Sequence, residues 1–281
     1  MNQEERSRGF LPAMAGSSCT TTSSNRHDET FITYPAADDI ITEAEARVLG
    51  VAALQRPHLL IVSQAHNGKQ SIINWIARRH RPFRVASLLA PVVSMACAEL
   101  PVRVTEATLC RAVATALGVV ACARLEDLIS RCREASTRII VIRDLHDLAM
   151  PDWPLHLRLL ERLDELTSDA GISLVFTATL RVNELIKQAP RWLERIYVRQ
   201  LPLWDTPGLV AFLNALATAW RVPSSLEIAS LAPVLVETTG GRLGLIMRRL
   251  RETIPVTISG ERKELEARLW EYEFPTCPRC R

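Results

Sequence analysis

Residues 58–71 read His-Leu-Leu-Ile-Val-Ser-Gln-Ala-His-Asn-Gly-Lys-Gln-Ser, which is an apolar run, a polar turn and then a Gly-Lys pair. The four apolar residues from Leu59 to Val62 predict a strand that is covered on both faces. A helix is predicted to follow, from Ser71 to Arg79. A strand, a glycine-containing turn and a helix in this order are typical of a loop that binds phosphate.

Phosphate chemistry accounts for the residue types in this loop. Gly68 lets the backbone approach a phosphate closely, and Lys69 provides a positive charge where β- and γ-phosphates would lie. The unpaired N–H groups at the start of the following helix face the same anion. We therefore predict that the loop binds a nucleotide. The predicted binding residues are Ser63, His66, Asn67, Gly68, Lys69, Gln70 and Ser71.

The loop departs from the pattern G-x-x-x-x-G-K-[ST] at two positions. Ser63 stands where the pattern has its first glycine, and Gln70 stands where it has the hydroxyl that binds Mg²⁺. Taken alone, the segment leaves two alternatives open, a nucleotide site and an ordinary strand–turn–helix.

Length and composition fit one α/β domain with a smaller appendage. The chain has 281 residues and a net charge of +3, which by itself indicates no particular partner. Among its 34 basic residues only Lys69, Lys187 and Lys263 are lysines. A GC-rich genome explains this preference for arginine. The alternative is recognition of phosphate or DNA, for which the planar guanidinium is suited.

The sequence favours a cytoplasmic protein without membrane contact. No apolar run approaches the roughly 20 residues that a membrane helix requires, and the N-terminus lacks the pattern of a signal peptide. The seven cysteines have no framework spacing, which fits a reducing compartment. Cys277 and Cys280 form either a free pair or half of a zinc site shared with another chain.

Strands alternate with helices up to about residue 202, and only helices follow. Strands are predicted at 59–62, 91–96, 138–142, 171–176 and 195–201, the last near a sheet edge. Helices are predicted between them at 40–54, 71–79, 105–117, 125–135, 155–166 and 181–188, and after them at 206–220, 225–237, 243–253 and 261–272. The spacing of Thr42 and Glu45 predicts a capping box in the first helix.

This alternation predicts an α/β fold with a parallel sheet and helices on both faces. We predict three segments along the chain. Residues 1–36 form a flexible arm, residues 37–204 form the nucleotide-binding core, and residues 205–281 form a C-terminal helical lid with a tail.

A second element of a nucleotide site follows the third strand. A nucleotide hydrolase needs carboxylates at a strand end, where they hold Mg²⁺ and orient the attacking water. Asp and then Glu are usual there, but this chain has Arg143 and then Asp144. Arg143 does not suit Mg²⁺ and could instead neutralise phosphate directly. A plain strand end with solvated charges is the alternative. Together with the loop, the segment favours a nucleotide site with doubtful Mg²⁺ coordination and with Arg143 and Asp144 in catalytic positions.

Three further residues agree with a nucleotide site. Thr179 follows the fourth strand, where a polar residue can sense a γ-phosphate. Arg195 opens the fifth strand, from which an arginine can reach a neighbouring subunit's phosphate. Arg242 lies in a glycine-rich segment that opens a lid helix, so it could close on the nucleotide. The alternatives are a threonine-rich strand end, a surface arginine and a glycine-rich turn. Arg248, Arg249 and Arg251 are interpreted as a solvated basic face.

From about Ile40 to Ile258 the chain resembles the TniB family of AAA+ ATP-binding transposition proteins, which is related to TnsC and more distantly to MuB. The segments that carry the resemblance are 58–69, 138–148, 171–179, 193–204 and 239–246. The most distinctive features are the sequence Leu-Pro-Leu-Trp at 201–204 and the glycine-rich start of the lid helix at 239–246.

The resemblance implies a P-loop AAA+ fold and a regulator of transposition. Such proteins bind ATP, form homo-oligomeric rings or filaments on double-stranded DNA, recruit a DDE transposase and receive target information from a TniQ-like protein. DNA contact is then expected at the segment after the second strand, which holds Arg103 and Thr105. Departures at Ser63, Gln70 and the end of the third strand imply slow or absent hydrolysis. The alternatives are an inactive AAA+ scaffold and a signalling NTPase outside transposition.

Overall fold

The computed structural model describes residues 31–50, 57–84, 91–101, 104–120, 122–145, 153–187, 189–222, 226–254 and 269. In the core, the elements are α1 Pro35–Val48, β1 His58–Val62, α2 Lys69–Arg79, β2 Met95–Glu99, α3 Glu106–Leu117, α4 Leu125–Glu134, β3 Ile139–Arg143, α5 Trp153–Asp169, β4 Ser173–Ala178, α6 Leu180–Lys187, α7 Pro190–Arg195 and β5 Ile196–Gln200. In the lid they are α8 Thr206–Trp220, a 3-10 turn Ile228–Leu231, α9 Ala232–Thr239 and α10 Leu243–Thr253.

The sheet is parallel and has the strand order β2-β3-β4-β1-β5. β1 is fully buried, because β4 and β5 flank it and helices cover both of its faces. Val62, at its end, pairs with Ala178 of β4 and Gln200 of β5. The carboxyl ends of these strands therefore meet at one edge, where ligands bind in open α/β sheets. The predicted parallel fold and the edge position of β5 are both confirmed.

Each face of the sheet has its own apolar core. Leu60 and Val62 belong to the cluster that includes α3 to α6, whereas Leu59 and Ile61 pack with α1 and α2. This alternation follows from the two-residue period of a strand. Helices therefore cover both faces, as the sequence predicts.

The lid has a separate core between α8, α9 and α10. Its first helix, α8, has the predicted bounds, and Asp205 caps it by accepting a hydrogen bond from the N–H of Gly208 at 2.9 Å. Just before this cap, the Trp204 N–H donates to the Gly241 carbonyl at 2.9 Å. The start of the lid is thus tied to the glycine-rich turn before α10.

The first helix corrects two sequence predictions. It runs from Pro35 to Val48 rather than from residue 40 to 54, because Pro35 suits the first turn. Thr42 and Glu45 lie inside this helix, so the predicted capping box is wrong; the N-cap is Tyr34, without a side-chain cap. The predicted boundary between arm and core, after residue 36, falls within α1.

Two other elements are shifted from their predicted positions. β2 begins at Met95, where pairing with β3 begins, while Val92 instead forms an antiparallel bridge with Phe83. The predicted helix 225–237 is a 3-10 turn followed by α9, whose first turn contains Pro233.

The predicted helix 261–272 has only Leu269 among the described residues. The arm up to residue 30 and the pair Cys277 and Cys280 lie outside them. Within the described ranges, no helix is both long and apolar enough to cross a membrane.

Candidate nucleotide-binding site

The loop between β1 and α2 has the backbone of an anion-binding turn. Gly68 adopts φ +88° and is the N-cap of α2, and His66 also has a positive φ of 59°. A Cβ at Gly68 would lie 3.6 Å from Leu243 and 3.9 Å from the Tyr34 hydroxyl. These are ordinary contact distances, so it is the left-handed conformation that explains why glycine occupies this position. The helix start behind it leaves N–H groups for an anion.

The ammonium group of Lys69 is held inside the loop. Its Nζ donates to Ser63 Oγ at 2.9 Å, to the Gln64 carbonyl at 3.0 Å and to the Ser63 carbonyl at 3.3 Å. Burial lowers the pKa of Lys69 to about 8, and the negative charge of Asp144 opposes this shift. Ser63, which departs from the motif, thus provides a hydroxyl that anchors the lysine. An incoming phosphate can take over these hydrogen bonds.

The side chain of Asn67 joins the loop to the lid. Its Nδ2 donates to the carbonyls of Pro202 at 2.9 Å and Leu201 at 3.3 Å, and its Oδ1 accepts from the Leu243 N–H at 3.1 Å. Asn67 is only 2% exposed. These partners commit its amide to structure, which leaves its backbone for the predicted nucleotide contact.

A second bond between loop and lid lies nearby. The Gly244 N–H donates to the His66 carbonyl at 2.8 Å. A Cβ at Gly244 would come to 2.5 Å from this oxygen, so the close approach of α10 requires glycine. The phosphate loop and the first turn of the lid helix are therefore in direct contact.

A cleft of about 360 Å³ adjoins the loop at Gly68 and Ser71. Its walls come from residues 31–34, the exposed side of α2, and α8 and α10 of the lid. Phe31 and Trp75 stack at one wall, with ring centroids 4.9 Å apart and an interplanar angle of 14°. The volume falls within the usual range for small-molecule sites, and aromatic surface beside a phosphate loop suits a nucleoside.

Arg248 is a cleft residue that the sequence interpretation missed. It lines the cleft with Arg251, whereas Arg249 between them is 4% exposed. The prediction of one solvated basic face is therefore wrong. The sequence places Arg248 one helical turn after Gly244, but only the contact of Gly244 with the loop, which the structure shows, identifies Arg248 as a cleft residue.

Arg242 is the N-cap residue of α10, and its Nε donates to the Thr239 carbonyl at 3.0 Å. Burial lowers the pKa of His66, and the charges of Arg248, Arg242 and Lys69 add to this effect. The charge of Arg242 thus acts on His66 in the loop, while its side chain bonds to the turn before α10. Its closure on a nucleotide stays a prediction.

The end of β3 brings two of the departures from the motif together. Arg143 donates to Glu99 Oε1 at 3.0 Å and to Asn74 Oδ1 at 2.9 Å. The Gln70 amide, with its oxygen facing the guanidinium, accepts from Arg143 Nε at 2.9 Å. Mg²⁺ prefers oxygen ligands that include carboxylates. A guanidinium with amide partners does not fit this ion, and no His, Cys, Asp or Glu cluster in the described ranges forms another metal site.

Asp144 follows with a positive φ of 54°. Its N–H donates to Thr177 Oγ1 at 3.0 Å, so Thr177 positions this residue from the neighbouring strand. The sequence interpretation chose Thr179 instead, which begins the turn into α6 by accepting from the Val182 N–H at 3.1 Å. The role of Thr179 as a γ-phosphate sensor stays a prediction.

Arg195 lies at the amino-terminal end of the parallel strands, opposite to the carboxyl ends where the loop lies. It ends α7 just before Ile196, which pairs with His58 at the start of β1. The length of β1, whose five residues span four steps of about 3.3 Å, or about 13 Å, therefore separates this end of the sheet from the loop. Arg195 pairs with Asp164 at 2.8 Å, and its side chain is 38% exposed. Its contact with the nucleotide of a neighbouring subunit stays a prediction.

Of the two predicted DNA-contacting residues, Thr105 is described and Arg103 lies outside the described ranges. Thr105 caps α3 by accepting from the Thr108 N–H at 3.3 Å, and the Thr108 hydroxyl accepts in turn from the Thr105 N–H at 2.8 Å. This capping box uses the Thr105 hydroxyl. Its predicted contact with DNA stays a prediction.

Comparison with known proteins gives the family. The family model described as Bacterial TniB protein matches residues 24–206, about two thirds of the chain. The chain belongs to the TniB family. The match spans the core and ends at the first residue of α8. A search of curated proteins found no match.

Solved structures show that this TniB-family chain has the AAA+ fold. The Aeropyrum pernix ORC2 protein in ADPNP and ADP complexes is 14% identical, with a TM-score of 0.62 over 91% of this chain and 73% of that one. The Aeropyrum pernix ORC1 protein in complex with DNA is 17% identical, with a TM-score of 0.60 over 85% and 66%. Drosophila ORC bound to DNA is 14% identical, with a TM-score of 0.51 over 96% and 70%.

The shifted pKa of Lys69 predicts that ATP affinity depends on pH. Bound phosphate favours the charged lysine, so binding includes proton uptake once Lys69 has lost its proton in the free protein. We expect a constant affinity below about pH 8 and a decrease of up to about tenfold per pH unit above it. Titrations with a fluorescent ATP analogue from about pH 7 to about pH 9.5 measure this.

The control is Lys69→Arg, which stays charged throughout this range. Its affinity, whatever its absolute value, should change little with pH. A flat profile for the wild-type protein would show that Lys69 does not provide the charge that holds the phosphate.

Proposed function

We propose that this TniB-family protein is an ATP-binding regulator of transposition that assembles on double-stranded DNA. The observation that carries the proposal is the position of Lys69 inside a glycine-ended loop at the carboxyl edge of a parallel AAA+ sheet. A lid helix touches that loop and a cleft of nucleoside size adjoins it. Family membership supports transposition as the process. We propose a DDE transposase and a TniQ-like targeting protein as partners.

DNA binding is supported by the fold and by the basic residues. The ORC1 protein and Drosophila ORC, which share the fold, were solved with DNA. Arginines provide nearly all of this chain's positive charge and suit contacts with phosphate. We propose that a homo-oligomer binds duplex DNA through its phosphates, with little preference for sequence.

The proposal is tested by fluorescence anisotropy of a labelled duplex, with and without ATP, over a series of salt concentrations. We expect ATP-dependent binding that weakens strongly between about 50 mM and about 200 mM salt, because phosphate contacts release counterions. Arg103→Ala should lower the salt slope by about 1 without changing sequence preference. Arg131→Ala is a matched control on α4, where Arg131 is exposed and pairs with Glu134. Salt-independent binding would contradict phosphate recognition.

An inactive scaffold is the second candidate function, and the end of β3 is the observation that favours it. Arg143 and Gln70 bond to each other where a hydrolytic site would hold a metal. Equilibrium binding of ATP separates the two functions. A scaffold that uses the fold only for protein contacts would bind none, whereas the regulator binds ATP and loses this binding in Lys69→Ala.

Arg195 is proposed to reach the nucleotide of a neighbouring subunit, which would make assembly depend on ATP. Arg195→Ala should leave the monomer folded and able to bind ATP, but unable to form ATP-dependent oligomers on DNA. The control is Arg191→Ala, an exposed arginine one turn earlier on α7. Size-exclusion chromatography with ATP and duplex DNA measures assembly. Equal assembly by wild type and Arg195→Ala would mean that the arginine serves only its pair with Asp164.

A further inference from the structure

The region beside the phosphate loop where a P-loop enzyme holds its metal contains a network of four side chains. Gln70 and Asn74 project from the first two turns of α2, and Arg143 reaches them from the end of β3. Glu99, at the end of β2, holds the guanidinium from its other side at 3.0 Å. Arg143 is 15% exposed, so most of its side chain is packed in place.

Among the partners of the Arg143 guanidinium, Glu99 is the one that a bound phosphate could replace most readily. Glu99 is 79% exposed, and an ion pair with an exposed carboxylate contributes little stability. A polyphosphate can replace this carboxylate with more charge and more acceptor oxygens. Gln70 and Asn74 belong to the same helix and orient the arginine without neutralising it. The network thus presents a cation whose counter-ion is at the surface and exchangeable.

The Arg143 guanidinium lies where a bound nucleotide would need a positive charge to neutralise its phosphates. In P-loop sites a metal at the adjacent strand end bridges β- and γ-phosphate oxygens and neutralises their charge. A guanidinium donates several N–H groups in one plane and binds phosphate oxygens in pairs. Its positive charge also disfavours a divalent cation at the same place. The residues that depart from the motif therefore form an alternative means of neutralising the phosphates.

We propose that this site binds a nucleoside triphosphate without a divalent metal, with the Arg143 guanidinium contacting β- and γ-phosphate oxygens in place of Mg²⁺. The inference rests on the proposed function, since it requires that the loop bind a nucleotide. It adds that the bound species is the metal-free triphosphate. The Gln70–Arg143 pair is then part of the binding site and is not merely a lost catalytic element.

The first test uses the full-length wild-type protein and ATP as the probe. Its dissociation constant is measured by calorimetry in excess Mg²⁺ and in EDTA. We expect values in EDTA that are equal to those in Mg²⁺ within about threefold, or tighter, and a preference for ATP over ADP that persists in EDTA. Binding that is more than about tenfold weaker in EDTA would overturn the inference.

The second test separates phosphate binding from a simple ion pair. Arg143→Gln should weaken ATP binding in EDTA by about 10- to 100-fold, the usual effect of losing charge-assisted hydrogen bonds. Glu99→Gln removes the same ion pair but keeps the cation, so its affinity should be unchanged or higher. Arg131→Gln is the matched control for loss of one surface positive charge. Equal affinities for Arg143→Gln and Glu99→Gln would reduce Arg143 to a partner of Glu99 and overturn the inference.

The outcomes also separate this inference from the proposed function. A folded wild-type protein that binds no ATP in either buffer contradicts both. Binding only in Mg²⁺ contradicts metal-free binding and leaves ATP-dependent regulation intact. The comparison of buffers needs no variant, so it remains decisive even if Arg143→Gln fails to fold. Circular dichroism and thermal unfolding check that each protein is folded.

Discussion

The combined substitution Gln70→Thr, Arg143→Asp and Asp144→Glu is expected to raise ATP hydrolysis by about 10²–10⁴-fold over the wild type in Mg²⁺, because it restores a hydroxyl ligand and a carboxylate pair. The wild-type protein should hydrolyse ATP slowly or not at all, since a guanidinium lies where those ligands belong. Phosphate release under steady-state conditions measures both. Wild-type turnover near the ordinary ~1 s⁻¹ or above would contradict the account.

The control adds Lys69→Ala to the same three substitutions, which should remove any gained activity and so locate it in this site. The backbone at Asp144 sets a limit on the gain, because a positive φ of 54° is unfavourable for a longer side chain. Arg143→Asp alone should therefore give the larger part of the increase. Flat activity in a folded triple variant would show that the loop itself is misplaced for hydrolysis.

Gly241→Ala is expected to cost about 2–5 kcal/mol in the free energy of unfolding. The residue has φ +68°, and an added Cβ would lie 3.1 Å from Trp204 N and still closer to the Trp204 carbonyl oxygen. A left-handed alanine costs roughly 1–2 kcal/mol and a forced shift of packed backbone about 1–3 kcal/mol. Urea unfolding followed by tryptophan fluorescence measures the loss.

Gly240→Ala is the matched control for this substitution. Gly240 has a similar φ of +62°, but its added Cβ would have no neighbour closer than Arg242 Nε at 4.0 Å. Gly240→Ala should lower the free energy of unfolding only by the cost of a left-handed alanine, about 1–2 kcal/mol. Equal losses at the two glycines would mean that the contact between the lid turn and Trp204 contributes nothing.

The parts of the fold that were predictable depend on local pattern. The apolar run before the loop identified β1, and Gly68 with Lys69 identified the start of α2, because a buried strand and a phosphate turn each have a short sequence signature. The predicted helix 206–220 likewise coincides with α8, whose N-cap Asp205 bonds to Gly208 three residues later. These features need no information about distant residues.

The features that sequence reasoning missed depend on partners far apart in the chain. Glu99 meets Arg143 only because β2 and β3 pair in parallel, which also shifts β2 from its predicted position. The amide of Asn67 bonds to Leu243, more than 170 residues later in the chain, so the side chain of this loop residue also links the loop to α10. In the sequence Arg248 resembles a surface residue of a helix. It lines the cleft because α10 contacts the phosphate loop through Gly244.

Electron microscopy of the full-length protein on linear duplex DNA, with and without ATP, shows whether assembly on DNA depends on ATP. We expect regular DNA-bound rings or filaments with ATP and none without it. These assemblies should persist while little ATP is consumed, and Lys69→Ala should not form them. An absence of DNA-bound assemblies in ATP, or identical assemblies with and without nucleotide, would contradict an ATP-dependent regulator.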